Sequence, residues 1–204
     1  MDYRYRDHPA AAPASPTLFL FHGTGGDENQ FFELGRQMLP EAGIVAPRGD
    51  ILEMGSARFF RRLAEGRYDM ADLARATEKM RAFVTDKAAT PKRLGLGYSN
   101  GANILAATLF AEPTLFDAVV LMHPLIPFEP EIADGMAGRL VLITAGRHDP
   151  ICPPGLTERL AASLEAAGAL VETLWHPGGH EIRDDEIHTA ARFLQGAATG
   201  KDEI

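Results

Sequence analysis

The sequence predicts a three-layer α/β fold, in which helices flank both faces of a mostly parallel β-sheet. Short apolar runs alternate with stretches of helical spacing along the chain, as in successive β-α-β units. The strongest runs are continuously apolar rather than alternating, which indicates strands buried on both faces. The 204 residues, of which 46% are hydrophobic, fit a single domain that spans residues 1–204.

Four apolar runs of about five residues give the clearest strand predictions: 18–21, 94–98, 118–122 and 140–144. Weaker strand predictions cover 3–6, 43–46 and 169–175. Helices are predicted at 31–39, 72–86, 102–111, 157–167 and 185–195. Pro40, Pro91 and Pro113 follow three of these helices, and Gly168 suits the turn after the fourth. Residues 47–68 are irregular and are predicted to form a loop over a site.

Composition and charge restrict the function classes. The net charge of −8 disfavours nucleic acid, because binding there depends on neutralising phosphates. The one cysteine, Cys152, excludes an internal disulfide and suits a small buried residue. The N-terminus is charged and the apolar runs are too short to cross a bilayer, so we expect a cytoplasmic protein without membrane insertion. Residues 201–204 resemble a retrieval signal of the endoplasmic reticulum, which we attribute to chance.

A glycine-framed serine follows the predicted strand 94–98. Gly97-Tyr98-Ser99-Asn100-Gly101 matches G-x-S-x-G, the pattern that holds a nucleophilic serine in a strained turn between strand and helix. Side chains two positions before and after the serine would collide with neighbouring backbone, so glycine is needed there. Ser99 is the predicted nucleophile.

A serine nucleophile needs a base, and the base needs an acid that orients it. Because sites in open α/β sheets lie at the carboxyl ends of strands, these partners should follow strands. Asp149 follows the strand 140–144, and His180 lies in a Gly-Gly loop after the last strand. His176 is the rival for the base, and His123 is expected to line the site.

Acyl transfer also requires N–H donors for the oxyanion. The backbone N–H of Asn100, directly after the nucleophile, is one expected donor. The glycine-rich loop His22-Gly23-Thr24-Gly25-Gly26 should supply the other from Thr24, because its glycines let the backbone approach closely.

Competing motifs fail at individual positions. A dinucleotide fingerprint would need glycine where the chain has Glu28 or Asn100. His176 and His180 have the spacing of a helical metal site, but Pro177 and the glycines between them prevent a helix. No metal and no cofactor are expected.

Five motifs together resemble the phospholipase/carboxylesterase family of α/β-hydrolases, most closely its small bacterial carboxylesterases. They are the Leu18 to Glu28 segment, Val45-Ala-Pro-Arg-Gly49, Gly97-Tyr-Ser-Asn-Gly101, Gly146-Arg-His-Asp-Pro150 and Gly178-Gly-His180. The resemblance implies an α/β-hydrolase fold with no cap domain, a triad of Ser99, Asp149 and His180, and an oxyanion hole at Thr24 and Asn100. It also implies that Met54, Phe59, Phe60 and Ile151 line the pocket. Dienelactone-hydrolase relatives share the architecture but have a cysteine nucleophile where this chain has Ser99.

The function predicted from these residues is hydrolysis of small, short-acyl carboxylic esters by a serine carboxylesterase, through an acyl-enzyme intermediate. Two alternatives remain: an acyl-thioesterase or lysophospholipase acting on longer acyl chains, and a catalytically silent binding protein on a hydrolase fold. The substrate would be a small-molecule ester, and the resemblance also allows a homodimer.

Overall fold

A computed structural model describes residues 3–200 of the chain. Its strands are β1 (Tyr5–His8), β2 (Thr17–Phe21), β3 (Gly43–Pro47), β4 (Ile51–Glu53), β5 (Ser56–Arg58), β6 (Arg62–Ala64), β7 (Arg67–Tyr68), β8 (Arg93–Tyr98), β9 (Ala118–Met122), β10 (Leu140–Gly146) and β11 (Leu170–His176). Its α-helices are α1 (Phe32–Met38), α2 (Met70–Lys87), α3 (Asn100–Ala111), α4 (Pro154–Ala166) and α5 (Asp184–Thr199). A short 3₁₀ turn covers Pro113–Leu115.

Seven strands form one sheet, in the order β1-β3-β2-β8-β9-β10-β11. Every neighbouring pair is parallel except β1 and β3, which are antiparallel at one edge. The parallel strands therefore end on the same edge of the sheet, where ligands bind in folds of this type. The predicted mostly parallel sheet is confirmed.

Helices cover both faces of the sheet, and each face has its own apolar cluster. Along β2, Phe19 and Phe21 face the cluster that contains residues of α2, α3 and α4. Leu18 and Leu20 face the opposite cluster, which contains residues of α1 and α5. Every residue of β2, β3 and β9 is buried, as expected for strands that are covered on both faces, and this confirms the three-layer prediction.

Residues 47–68 differ from the predicted loop, because they contain two short hairpins. In β4–β5, Met54 and Gly55 both have positive φ angles, 48° and 85°, as the two central residues of a type I′ turn require. In β6–β7, Gly66 has a φ of 67°. Strands of two or three residues are too short to show a periodic pattern in the sequence.

Among residues 3–200, no helix has both the length and the apolarity needed to span a membrane. The retrieval-like residues 201–204 lie outside the described part of the chain.

Candidate active site

Ser99 lies in a strained turn between β8 and α3. Its φ of 52° and ψ of −116° are unfavourable for a residue with a side chain. A Cβ on Gly97 would lie 2.5 Å from the carbonyl oxygen of Gly101, and a Cβ on Gly101 would lie 2.2 Å from that of Phe21. Both glycines are therefore required by close backbone approach, and the turn raises the serine hydroxyl above the sheet edge.

The structure brings Ser99, His180 and Asp149 together from three separate loops. The Ser99 hydroxyl lies 2.9 Å from His180 Nε2, and His180 Nδ1 lies 2.7 Å from Asp149 Oδ2. The Tyr98 hydroxyl donates a 2.6 Å hydrogen bond to the carbonyl oxygen of His180. With Nδ1–H directed at the carboxylate, Nε2 is free to accept the serine proton.

Asp149 is a buried carboxylate held by four donors. Its Oδ1 accepts hydrogen bonds from the backbone N–H groups of Ile151 and Cys152, at 2.8 and 2.9 Å. Its Oδ2 faces His123 Nδ1 at 3.0 Å as well as His180. Burial raises its pKa, but the hydrogen bonds outweigh burial and hold the pKa far below the ordinary value. Asp149 is therefore an anion at neutral pH.

His123 lies behind Asp149 and not at the cavity surface, which corrects the prediction that it lines the site. Its side chain is 0% exposed, and its two ring nitrogens each lie 3.0 Å from a carboxylate oxygen, of Asp149 and of Glu186. Burial lowers its pKa, but the hydrogen bonds to the two carboxylates outweigh burial and raise the pKa to about 9.

His176, the rival base, points away from Ser99 into the same buried cluster. Its Nε2 lies 3.4 Å from Glu186 Oε2, and its Nδ1 accepts a 3.0 Å hydrogen bond from the Gly178 N–H. His180 is therefore the histidine that faces the serine.

Two sets of three side chains have atoms close enough to hold a metal ion: His123, Asp149 and His180, and His123, His176 and Glu186. In the first set, both histidine Nδ1 atoms face Asp149 Oδ2 in the hydrogen bonds described above. The Gly178 N–H occupies the Nδ1 lone pair of His176, so a neutral ring carries its proton on Nε2, the atom that would have to coordinate. The donor set therefore fits a hydrogen-bonded cluster better than a metal centre.

The two predicted oxyanion donors line one cavity with Ser99. Within residues 3–200, the backbone N–H groups of Thr24 and Asn100 have no protein acceptor. The Thr24 loop is fixed by His22, whose Nδ1–H donates to the Gly23 carbonyl oxygen at 2.7 Å and whose Nε2 accepts the Gly49 N–H at 2.9 Å. The arrangement leaves both N–H groups available to a developing negative charge.

The cavity beside Ser99 has a volume of about 280 Å³ and both polar and apolar groups in its lining. The two hairpins contribute Arg58, Arg62, Glu65 and Tyr68 to the lining, and α3 contributes Asn103. The side chain of Arg58 is 4% exposed, forms an ion pair with Glu53 at 3.3 Å and donates from Nη1 to the Thr24 hydroxyl at 2.8 Å. We did not predict these residues, although four arginines between positions 58 and 67 were a signal.

Of the four residues expected from the resemblance to line the pocket, only Ile151 does so. Phe59 and Phe60 are 0% exposed and belong to the apolar core, where Phe59 packs against Phe21. Met54 is 96% exposed at the tip of the β4–β5 turn. These placements correct the prediction: the aromatic pair anchors the hairpins to the sheet, and the turn carries Met54 into solvent.

Cys152 also lines the cavity, but its thiol is buried and donates to the carbonyl oxygen of His123 at 3.3 Å. Burial and the nearby Asp149 carboxylate raise the pKa of the thiol. The thiol therefore stays protonated, as expected for a structural cysteine and not for a nucleophile.

A mostly parallel sheet with helices on both faces, and a serine in the strand-to-helix turn after its central strand, define an α/β-hydrolase. The chain belongs to the dienelactone hydrolase family, whose model matches residues 9–188. It is a hydrolase, and the predicted likeness to bacterial carboxylesterases is confirmed.

Two solved structures and one named protein are similar to this chain. A structure of the Bacillus cereus carboxylesterase shares 36% identity, covers 96% of this chain and 94% of its own, and superposes with a TM-score of 0.90. Protein Atu2452 of Agrobacterium tumefaciens str. C58, of unknown function, shares 55% identity over 96% of this chain and 97% of its own, with a TM-score of 0.91. MhqD of Bacillus subtilis (strain 168), which carries the name of a hydrolase, is 37% identical over 185 residues, 88% of this chain and 92% of that protein.

Proposed function

We propose that the chain is a serine carboxylesterase that hydrolyses small carboxylic esters. The observation that carries this proposal is the continuous contact from the Ser99 hydroxyl through His180 to Asp149, at 2.9 and 2.7 Å. The similarity to the Bacillus cereus carboxylesterase supports the same reaction class.

In the proposed reaction, His180 takes the Ser99 proton while Oγ attacks the ester carbonyl carbon. The oxyanion is stabilised by the N–H groups of Thr24 and Asn100, and loss of one such donor typically costs about 3–4 kcal/mol. Collapse of the intermediate releases the alcohol, which receives its proton from His180. A water molecule, deprotonated by His180, then releases the acid and restores the serine.

The cavity favours small acyl groups over long ones. Its volume of about 280 Å³ is small for a ligand site, and Arg58, Arg62 and Glu65 form part of its wall. A long alkyl tail would lie against these charged groups and would displace their hydration without replacing it. A thioesterase or lysophospholipase for long chains is therefore the weaker interpretation.

The test is turnover of p-nitrophenyl esters of increasing acyl length by the purified protein. We expect hydrolysis of the acetate and butyrate, little hydrolysis of the palmitate, and loss of activity in Ser99→Ala. The kcat/KM should rise with increasing pH, because the histidine base must be neutral to accept the serine proton. Equal turnover by Ser99→Ala, or no labelling of Ser99 by a fluorophosphonate probe, would overturn the proposal. A preference for palmitate would favour the long-chain alternative.

A further inference from the structure

A row of three buried ionisable groups extends behind His180, away from the cavity. Asp149, His123 and Glu186 have side chains that are 0% exposed, and each contacts the next at 3.0 Å. Neither His123 nor Glu186 lines the cavity beside Ser99. The proposed ester hydrolysis, as described above, does not use these two residues.

We propose that His123 is a positioning residue: a buried imidazolium, held between Asp149 and Glu186, that fixes Asp149 and keeps His180 unprotonated. This inference rests on the proposed esterase function, since it concerns the base of that reaction. The protonation state of His123 can be measured without any substrate turnover.

The protonation state of His123 follows from its contacts. Nδ1 faces Asp149 Oδ2 and Nε2 faces Glu186 Oε1, and an ionised carboxylate can only accept hydrogen bonds. A neutral imidazole has a single N–H, so one nitrogen lone pair would point at a carboxylate oxygen. Only the doubly protonated ring donates to both partners. The raised pKa of His123, about 9, agrees with this geometry.

The remaining partners of Glu186 are hydrogen-bond donors, which favour its ionised form. The Thr144 hydroxyl donates to Oε1 at 2.5 Å, and the Arg183 N–H donates to Oε2 at 2.8 Å. The Nε2 atom of His176 lies 3.4 Å from Glu186 Oε2 and 3.4 Å from His123 Nε2, and its Nδ1 accepts the Gly178 N–H. Burial raises the pKa of Glu186, but hydrogen bonds from His123 and Thr144 outweigh it, and the pKa lies below the ordinary value.

Other titratable groups surround His123 on every side. The rings of Tyr98, His176 and His180 lie 5.9, 5.3 and 5.1 Å from its ring, and the Cys152 thiol donates to its carbonyl oxygen. Burial raises the pKa values of the Tyr98 hydroxyl and the Cys152 thiol, so both stay uncharged at neutral pH. The charged groups within hydrogen-bond distance of the His123 ring are therefore the carboxylates of Asp149 and Glu186.

The imidazolium limits how strongly Asp149 promotes protonation of His180. The centres of the His123 and His180 rings lie 5.1 Å apart. At an effective dielectric constant of about 20, the repulsion between two positive charges at this distance is equivalent to a change of about two pH units in a protonation equilibrium. Glu186 lies on the far side of His123 and offsets part of this repulsion. Removing His123 should therefore make His180 easier to protonate, and the base should become inactive at a higher pH.

The test compares His123→Asn, the double variant His123→Asn/Glu186→Gln, and the control His188→Asn on the exposed side of α5. Asparagine tolerates the positive φ of 50° at position 123. The double variant also removes the carboxylate that the single variant would leave buried without a partner. We expect the acid limb of the kcat/KM profile to move up by about one pH unit in the double variant, which removes the opposite charges of His123 and Glu186 together. It should move up further in His123→Asn, which leaves the Glu186 carboxylate in place, and should not move in the control. The KM at the plateau should stay within about twofold of wild type, since neither residue contacts substrate.

An unmoved acid limb in the double variant would overturn the inference. A second measurement does not depend on activity: nitrogen NMR of histidine-labelled wild-type protein at neutral pH should show both nitrogens of His123 protonated, with the signal assigned by its absence from the double variant. A neutral His123 ring would refute the inference even if the esterase proposal holds. Conversely, turnover unaffected by Ser99→Ala would refute the esterase function and leave the protonation of His123 to the NMR result.

Discussion

The buried imidazolium predicts that folding stability falls as the solution becomes alkaline. The pKa of His123 rises from 6.5 to about 9 on folding, so the folded protein holds this proton more tightly than the unfolded chain. For a raised pKa, the stabilisation is fully present below pH 6.5 and is lost as the pH rises through about 9. A difference of about 2.5 pH units at about 1.4 kcal/mol per unit gives a contribution of about 3 kcal/mol.

Urea unfolding, followed by circular dichroism at a series of pH values across this window, measures the contribution directly. At neutral pH, the free energy of unfolding of wild type should exceed that of His123→Asn. This difference should decrease by about 3 kcal/mol when the pH is raised above 9. His188→Asn, which makes the same change at an exposed position, should lose stability in parallel with wild type. If His123→Asn also loses stability in parallel with wild type, the reasoning about this imidazolium is refuted.

Three further predictions concern the loops around Ser99. Ser99→Gly should be more stable to urea than Ser99→Ala by about 1 kcal/mol, because glycine adopts the φ of 52° without strain. This relief should exceed the conformational entropy that glycine adds to the unfolded chain, and equal stabilities of the two variants would argue against strain at this position. Gly101→Ala should lose more than about 2 kcal/mol of stability and most of its esterase activity, since the added Cβ would meet the Phe21 carbonyl oxygen. In Gly155→Ala the added Cβ meets nothing within 4 Å, so this variant should match wild type, and a comparable loss there would remove the steric explanation. Arg58→Met and Thr24→Val should each lower kcat/KM about tenfold, because each removes one partner of the same charge-assisted hydrogen bond. Thr24→Ser keeps the hydroxyl and should retain most of the activity. A full loss of activity in Thr24→Ser would contradict this role for the hydroxyl.

The main sheet and its helices could be predicted because burial on both faces leaves a continuous apolar signal. The predicted strand 118–122 matches β9 at both ends, and the predicted helix 72–86 lies within α2. The hairpins of residues 47–68 gave no such signal, since their strands contain two or three residues. Their turns could be recognised only at Met54-Gly55 and Gly66, where the chain adopts positive φ.

The relation between residue type and position explains what could be predicted of the site. Ser99, Asp149 and His180 follow strands, so the topology of a parallel sheet predicts that they meet. Glu186 lies in the first turn of α5, where an acidic residue normally favours the helix dipole, and nothing local indicates that its side chain reaches His123. The prediction that Phe59 lines the pocket was wrong for a related reason. In the sequence, an apolar residue near a site is equally consistent with a pocket wall and with the apolar core.

The hairpins are connected to both halves of the proposed oxyanion hole. Arg58 donates to the Thr24 hydroxyl, and the backbone N–H of Phe59 donates to Asn100 Oδ1 at 2.8 Å. The segment that shapes the substrate cavity therefore also sets the position of the groups that would stabilise the transition state. Substitutions in this segment should change selectivity and turnover together, so engineering a new substrate range here requires that both hydrogen bonds be kept.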